Sequence, residues 1–174
     1  MIELLPGDCF VVRTDSPLAG LINWGQALWS QDSRAEFNHS GFVVSGDGTT
    51  FESLSRLGHY DINQYRGCPI LIVRYAEMTP QRFQAAYEAV KKYDGMPYPW
   101  WRFPLHLVGL AKHIHWSFPV CSELTGRMLN KAGFTDSTGW GTTPDYWADK
   151  WRELLRYEAK KLTKVWDQVL PARE

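Results

Sequence analysis

Cysteine is scarce in this chain and poorly spaced for cross-linking. Cys9, Cys68 and Cys121 form an odd set without a C-x-x-C pair, which argues against a disulfide framework and against a zinc ribbon. A reducing compartment is the expectation. An excess of one charge is missing too. Nineteen Lys and Arg balance nineteen Asp and Glu, and no basic block stands out, so neither nucleic acid nor an anionic membrane surface is an expected partner. No apolar run approaches the roughly 20 residues of a membrane span. The opening residues, "MIELLPGDCFVV", lack a basic stretch followed by a long apolar run and a small-residue cleavage site. The chain is therefore expected to be cytoplasmic at synthesis. It contains no internal repeat and no low-complexity linker.

What is present suits a single domain with a real core: 174 residues, 44% hydrophobic and 22% charged. Nine Trp, eight Tyr and eight Phe make aromatic side chains plentiful, and several cluster between Tyr98 and Phe103 as a candidate groove lining. "PGDCFVVRT" reads as a turn and a short strand through Val11 and Val12. Apolar residues at helical intervals follow a Ser-Pro start from Ser16 to Trp29, and "SQDSRAEF" reads as a polar loop. "NHSGFVVSGDGTTFESLS" reads as a hairpin turning at Gly46–Gly48, with its second strand through Phe51. "CPILIVRYA" is a buried strand. A helix follows, with Thr79 as N-cap, Pro80 at the first position and Gly95 as the stop. "MPYPWWRFPLHLVG" is irregular. Further helices are expected from Val120 to Lys131 and from Thr143-Pro144-Asp145 toward Arg156. Residues 157–174 form a charged C-terminal extension. The expected fold is α+β, a small, mostly antiparallel sheet with helices packed on it.

One cysteine has a chemically suggestive setting. In "FPVCSELTGRMLNKAGF", Cys121 opens an amphipathic helix after Pro119, beside unpaired backbone N–H groups and the positive dipole end. A thiol so placed is a candidate nucleophile, although a free cysteine is more often a small buried hydrophobe. Cys9 and Cys68 adjoin apolar strands and read as core. A nucleophilic cysteine needs a base, and His39, at the start of a strand continuing through Phe42, Val43 and Val44, is the candidate; a surface loop histidine is the plain alternative. Glu52, across the hairpin, is the candidate acceptor that fixes the imidazole tautomer, or else an exposed strand carboxylate. His106, His113 and His115 suggest a rival metal site, but no carboxylate or cysteine at ligand spacing accompanies them. No metal or other cofactor is expected.

The early "PGD", the "NHSGFVV" strand, the acidic residue soon after it and the late "CSEL" helix, with histidine preceding cysteine, resemble the circularly permuted papain-like amidases of the YiiX/YebB-like branch of the NlpC superfamily. The resemblance runs over roughly residues 5 to 147. It implies a permuted papain-like fold with Cys121 as nucleophile, His39 as base and Glu52 as the orienting acceptor. "TPDYW", Thr143–Trp147, looks like the segment such proteins carry after the cysteine helix. Tyr98 matches the family's tyrosine, whose hydroxyl would help form an oxyanion hole. Trp100 and Trp101 depart from the more polar family pattern and imply a modified substrate groove.

The implied activity is cleavage of amide bonds in peptidoglycan-type peptides through a thioester. Reaching such a substrate would require lysis, a secretion apparatus or a phage particle. A thioesterase or acyltransferase acting on acylated small molecules or lipid-like acyl groups is the alternative enzyme, and a non-catalytic binding or assembly module is the alternative of another class.

Overall fold

Alternation of side chains across strands explains why the middle of the sheet is apolar throughout. In the computed structural model, which describes residues 2–15, 36–102, 118–137, 139 and 141–170, β1 (Cys9–Val12) and β5 (Pro69–Tyr75) lie inside a six-stranded sheet. The other strands are β2 (His39–Val43), β3 (Thr49–Ser53), β4 (Leu57–Asp61) and β6 (Leu162–Val169). Their order is β4-β3-β2-β1-β5-β6, and every neighbouring pair is antiparallel. Cys9, Val11, Phe42, Phe51, Leu71 and Val73 belong to the core shared with the helices. Phe10, Val12, Val43, Ile70 and Ile72 belong to a second core with Ile62, Tyr65 and Leu170. Both sides of the central strands are thus buried, and "PILIV" is a continuous apolar run for that reason.

Three α-helices are present among the described residues. α1 (Pro80–Lys91) starts where the Thr79 hydroxyl accepts the Arg82 N–H at 3.2 Å. α3 (Pro144–Tyr157) repeats the device, the Thr143 hydroxyl accepting the Tyr146 N–H at 3.1 Å. Between them comes α2 (Cys121–Lys131), whose Leu124, Met128 and Leu129 are fully buried. Trp147 and Trp151 on α3 are fully buried as well. Their indole N–H groups are satisfied by the Ser122 carbonyl at 3.0 Å and the Tyr75 hydroxyl at 3.1 Å. Near the same end of β5, the buried Asp8 carboxylate takes a two-pronged contact from Arg74, at 2.7 and 2.8 Å.

The α+β expectation, the β2–β3 hairpin and the three helix starts agree with this architecture. β4 and β6 were not anticipated. β4 reads "LGHYD" and β6 reads "LTKVWDQV", and as edge strands they have mixed polar sequences with weak alternation. β6 draws eight residues of the expected extension into the sheet by pairing with β5, across an irregularity at Ile72/Val73. The helix expected over Ser16–Trp29, most of the loop after it and the Trp-rich segment beyond residue 102 lie outside the described residues.

Helix α2 comes very close to the chain preceding α3. A Cβ added at Gly126 would sit 2.6 Å from the Gly139 Cα and 2.9 Å from Trp147 Cζ2. Both obstacles are rigid, so Gly126→Ala is expected to lower stability by about 1–3 kcal/mol through overpacking, read as a lower midpoint in denaturant at unchanged slope.

Candidate active site

The segment that carries Cys121 is held on several sides. Val120 has a non-helical backbone and no capping side chain, and Cys121 is the first helical residue. The Glu123 carboxylate takes over the cap and accepts the Val120 N–H at 3.3 Å, a role suited to an acidic residue in the first turn. Ser53 donates to the Pro119 carbonyl at 3.3 Å, tying the turn before the helix to β3. The N–H groups of a helix's first turn have no intrahelical acceptors, and Cys121 and Ser122 stand in that turn.

His39 is the first residue of β2, opposite Val12 of β1. Its ring is buried, lying 6.4 Å from the Phe10 ring and 5.9 Å from that of Tyr65, centroid to centroid. Nε2 meets Glu52 Oε2 at 2.6 Å, and Cys121 is near enough to act on the ring's protonation. Burial alone would depress the imidazole. The Cys121 and Glu52 contacts outweigh it and raise the group from 6.5 to about 10. The backbone leading into His39 is fixed from two directions. Asn38 exchanges hydrogen bonds with the Thr14 backbone at 3.0 Å in both directions. Asp145, from "TPDYW", accepts the Glu36 N–H at 2.8 Å and the Phe37 N–H at 3.4 Å.

Glu52 reaches His39 diagonally. Gly41, not His39, is its direct cross-strand partner, and His39 lies two residues away on the same face. The carboxylate crosses over the bare Gly41: a Cβ there would come within 2.7 Å of Glu52 Cγ and 2.8 Å of Phe10 Cζ. Glu52 is fully buried. Besides His39 it accepts from the hydroxyls of Thr50 and Tyr65, and from Gln64 Nε2 at 3.5 Å. The Tyr65 phenol is pushed well above its usual range, first by burial and then by the Glu52 charge. These added donors were missed in the sequence, since none shares a motif with His39 or Glu52. Gly41 lay in plain view within "NHSGFVV", and its role needed the register to become readable.

Tyr98 is half-buried, its ring tilted on Trp100 at 4.4 Å between centroids. Burial raises its phenol well above the ordinary value, with further contributions from Cys121 and Glu123 and an opposing one from Arg102. The tyrosine therefore lies within electrostatic range of the sulfur. Trp100 and Trp101 are 47% and 52% exposed. Cys9 belongs to the core, its thiol raised chiefly by burial, and the half-buried Cys68 is raised for the same main reason. Among the described residues no group of three or more His, Cys, Asp or Glu side chains is placed to hold a metal ion. His106, His113 and His115 lie outside them.

Two measurements probe this geometry. Gly41→Ala is expected to displace Glu52 from His39 and to slow alkylation of Cys121 by iodoacetamide. The unperturbed wild-type rate would show that the carboxylate has another way across. His39, facing Cys121, Glu52 and Tyr65, has a folded-state value above 6.5. Its stabilisation is therefore fully present below 6.5 and is lost as the pH rises through about 10. The margin of the wild type over His39→Gln in urea unfolding should shrink across that interval.

No protein-family model matches the sequence, and no curated protein matches it. Among solved structures the fold is similar to a crystal structure described as the metalloprotein YiiX from Escherichia coli O157:H7, DUF1105. The TM-score is 0.60 at 15% identity, over 97% of this chain and 99% of that one. At that identity the likeness is one of fold, and it agrees with the YiiX side of the motif resemblance.

Proposed function

We propose that the protein is a cysteine hydrolase of the permuted papain-like, NlpC type that cleaves amide bonds. The observation that carries this reading is the buried His39 ring, bonded to the Glu52 carboxylate at 2.6 Å and raised in pKa by both Cys121 and Glu52. An imidazole that keeps its proton beyond neutral pH is the partner a Cys121 thiolate would need in an activated pair. Glu52 suits orienting the imidazole better than metal coordination, because both of its oxygens already accept hydrogen bonds from His39, Tyr65 and Thr50.

In the proposed reaction the Cys121 thiolate attacks the amide carbon, forming the S–C bond and moving the carbonyl π pair onto oxygen. The Cys121 N–H and the Tyr98 hydroxyl donate to that oxyanion. As the tetrahedral species collapses, the C–N bond breaks and the nitrogen leaves with the His39 proton, giving a thioester and a neutral imidazole. His39 then takes a proton from water as the oxygen adds to the thioester carbon. The C–S bond breaks, an acid is released, and the thiolate–imidazolium pair is restored. Glu52 holds the ring and balances its charge throughout.

Peptidoglycan-type peptides are the substrate class proposed from the motif resemblance. The exposed Trp100 and Trp101 beside Tyr98 favour a second reading, a thioesterase or acyltransferase taking apolar acyl groups. Parallel incubation with purified peptidoglycan fragments and with fatty acyl thioesters separates the two.

Cys121→Ala is expected to abolish turnover with the fold retained, and His39→Gln to lower it by about 10²–10⁴-fold. In the wild type, iodoacetamide should label Cys121 ahead of Cys9 and Cys68, as read by peptide mapping. Full turnover by purified Cys121→Ala would falsify the assignment.

A further inference from the structure

Behind the first turn of α2 lies an ion pair with no part in the proposed bond-making and bond-breaking. Arg102 and Glu123 are both 0% exposed. Arg102 Nη1 donates to Glu123 Oε2 at 2.7 Å and Nη2 to Oε1 at 2.8 Å, a two-pronged contact. The same Nη1 donates to the Phe118 carbonyl at 2.6 Å. Glu123 Oε2 also accepts the Val120 N–H at 3.3 Å, and Oε1 the Gly141 N–H at 3.2 Å.

Taking both charges out of water costs several kcal/mol per ion, and a well-packed apolar pair of similar volume is often as stable or more so. Net stability therefore does not account for the pair. Direction does. Its hydrogen bonds converge from three stretches of chain. The first is the short turn Trp100–Arg102, which follows Tyr98. The second is Phe118–Val120, immediately before Cys121, and the third is Gly141. All three are fastened to Glu123, two residues after the nucleophile.

We infer that the Arg102–Glu123 pair is the positioning element of the cysteine: it fixes the Phe118–Val120 turn so that the Cys121 sulfur faces the His39 ring, and it holds the Tyr98–Trp101 wall against the same point. Neither side chain touches the reacting atoms. Arg102 acts through the backbone on which Cys121 is carried, and Glu123 acts through the cap. This inference rests on the hydrolase reading for its functional meaning, while its readout, the reactivity of one sulfur, requires no substrate.

The test is the double variant Arg102→Met/Glu123→Leu in the full chain. It keeps the net charge and approximate volume and removes every hydrogen bond of the pair. The expected result is a midpoint of unfolding at or above that of the wild type, together with alkylation of Cys121 by iodoacetamide slowed about tenfold or more, in keeping with the cost of small misplacements. Arg102→Lys, which keeps the charge but not the fork, should fall between the two. A folded double variant alkylated at the wild-type rate overturns the inference. So does a double variant that cannot fold, because the pair is then a requirement of the fold. If wild-type Cys121 reacts no faster than Cys9 and Cys68, the hydrolase reading itself fails, a result obtained before any variant is made.

Discussion

The contact on which everything else turns is that of the buried His39 ring with the Glu52 carboxylate, a ring whose proton Cys121 also helps to hold. Burial on its own would strip the ring of its proton, and only paired partners make a charged imidazole tolerable there. Glu52 therefore cannot be a loosely held surface acid. It is immobilised by the Thr50 and Tyr65 hydroxyls, so that its charge stays where the ring needs it. The proton on His39 and the order around Glu52 are aspects of the same constraint.

Satisfying that constraint dictates much of the local architecture. The β2–β3 register brings Glu52 opposite Gly41, and the missing side chain at Gly41 opens the diagonal path to His39. The start of β2 is gripped by Asp145 from α3, while the start of α2 is gripped through Glu123 and Arg102. Two helices thereby set the ends of two elements against each other. The large apolar side chains of the sheet and helices supply the rigid frame that lets hydrogen bonds of this kind hold a fixed geometry.

Much of this was legible in the sequence, for identifiable reasons. Strong periodic signals and caps, Thr79-Pro80 and Thr143-Pro144 above all, mark their helices because capping chemistry is local. His39, Glu52 and Cys121 stood out because each lies at an element end or beside a turn, where a polar side chain among apolar neighbours is conspicuous. The register itself was not legible: residue counting across Gly46–Gly48 made His39 and Glu52 near neighbours without revealing that they meet diagonally. Tyr65, Arg102 and Glu123 were passed over as ordinary aromatic and charged residues, since their roles depend on partners far along the chain. The edge strands β4 and β6 escaped notice because an edge needs only partial burial, and a charged segment such as "LTKVWDQV" can supply it.

That last strand has a bearing on how the chain can be divided. Leu162–Val169 pairs along the whole of Pro69–Tyr75, whose Ile70–Val73 run is buried. A fragment ending after α3 would leave that backbone ladder open, with its N–H and C=O groups unsatisfied and its isoleucines uncovered. Such an edge invites strand addition from another molecule, so the charged ending that looks dispensable acts as the guard against self-association.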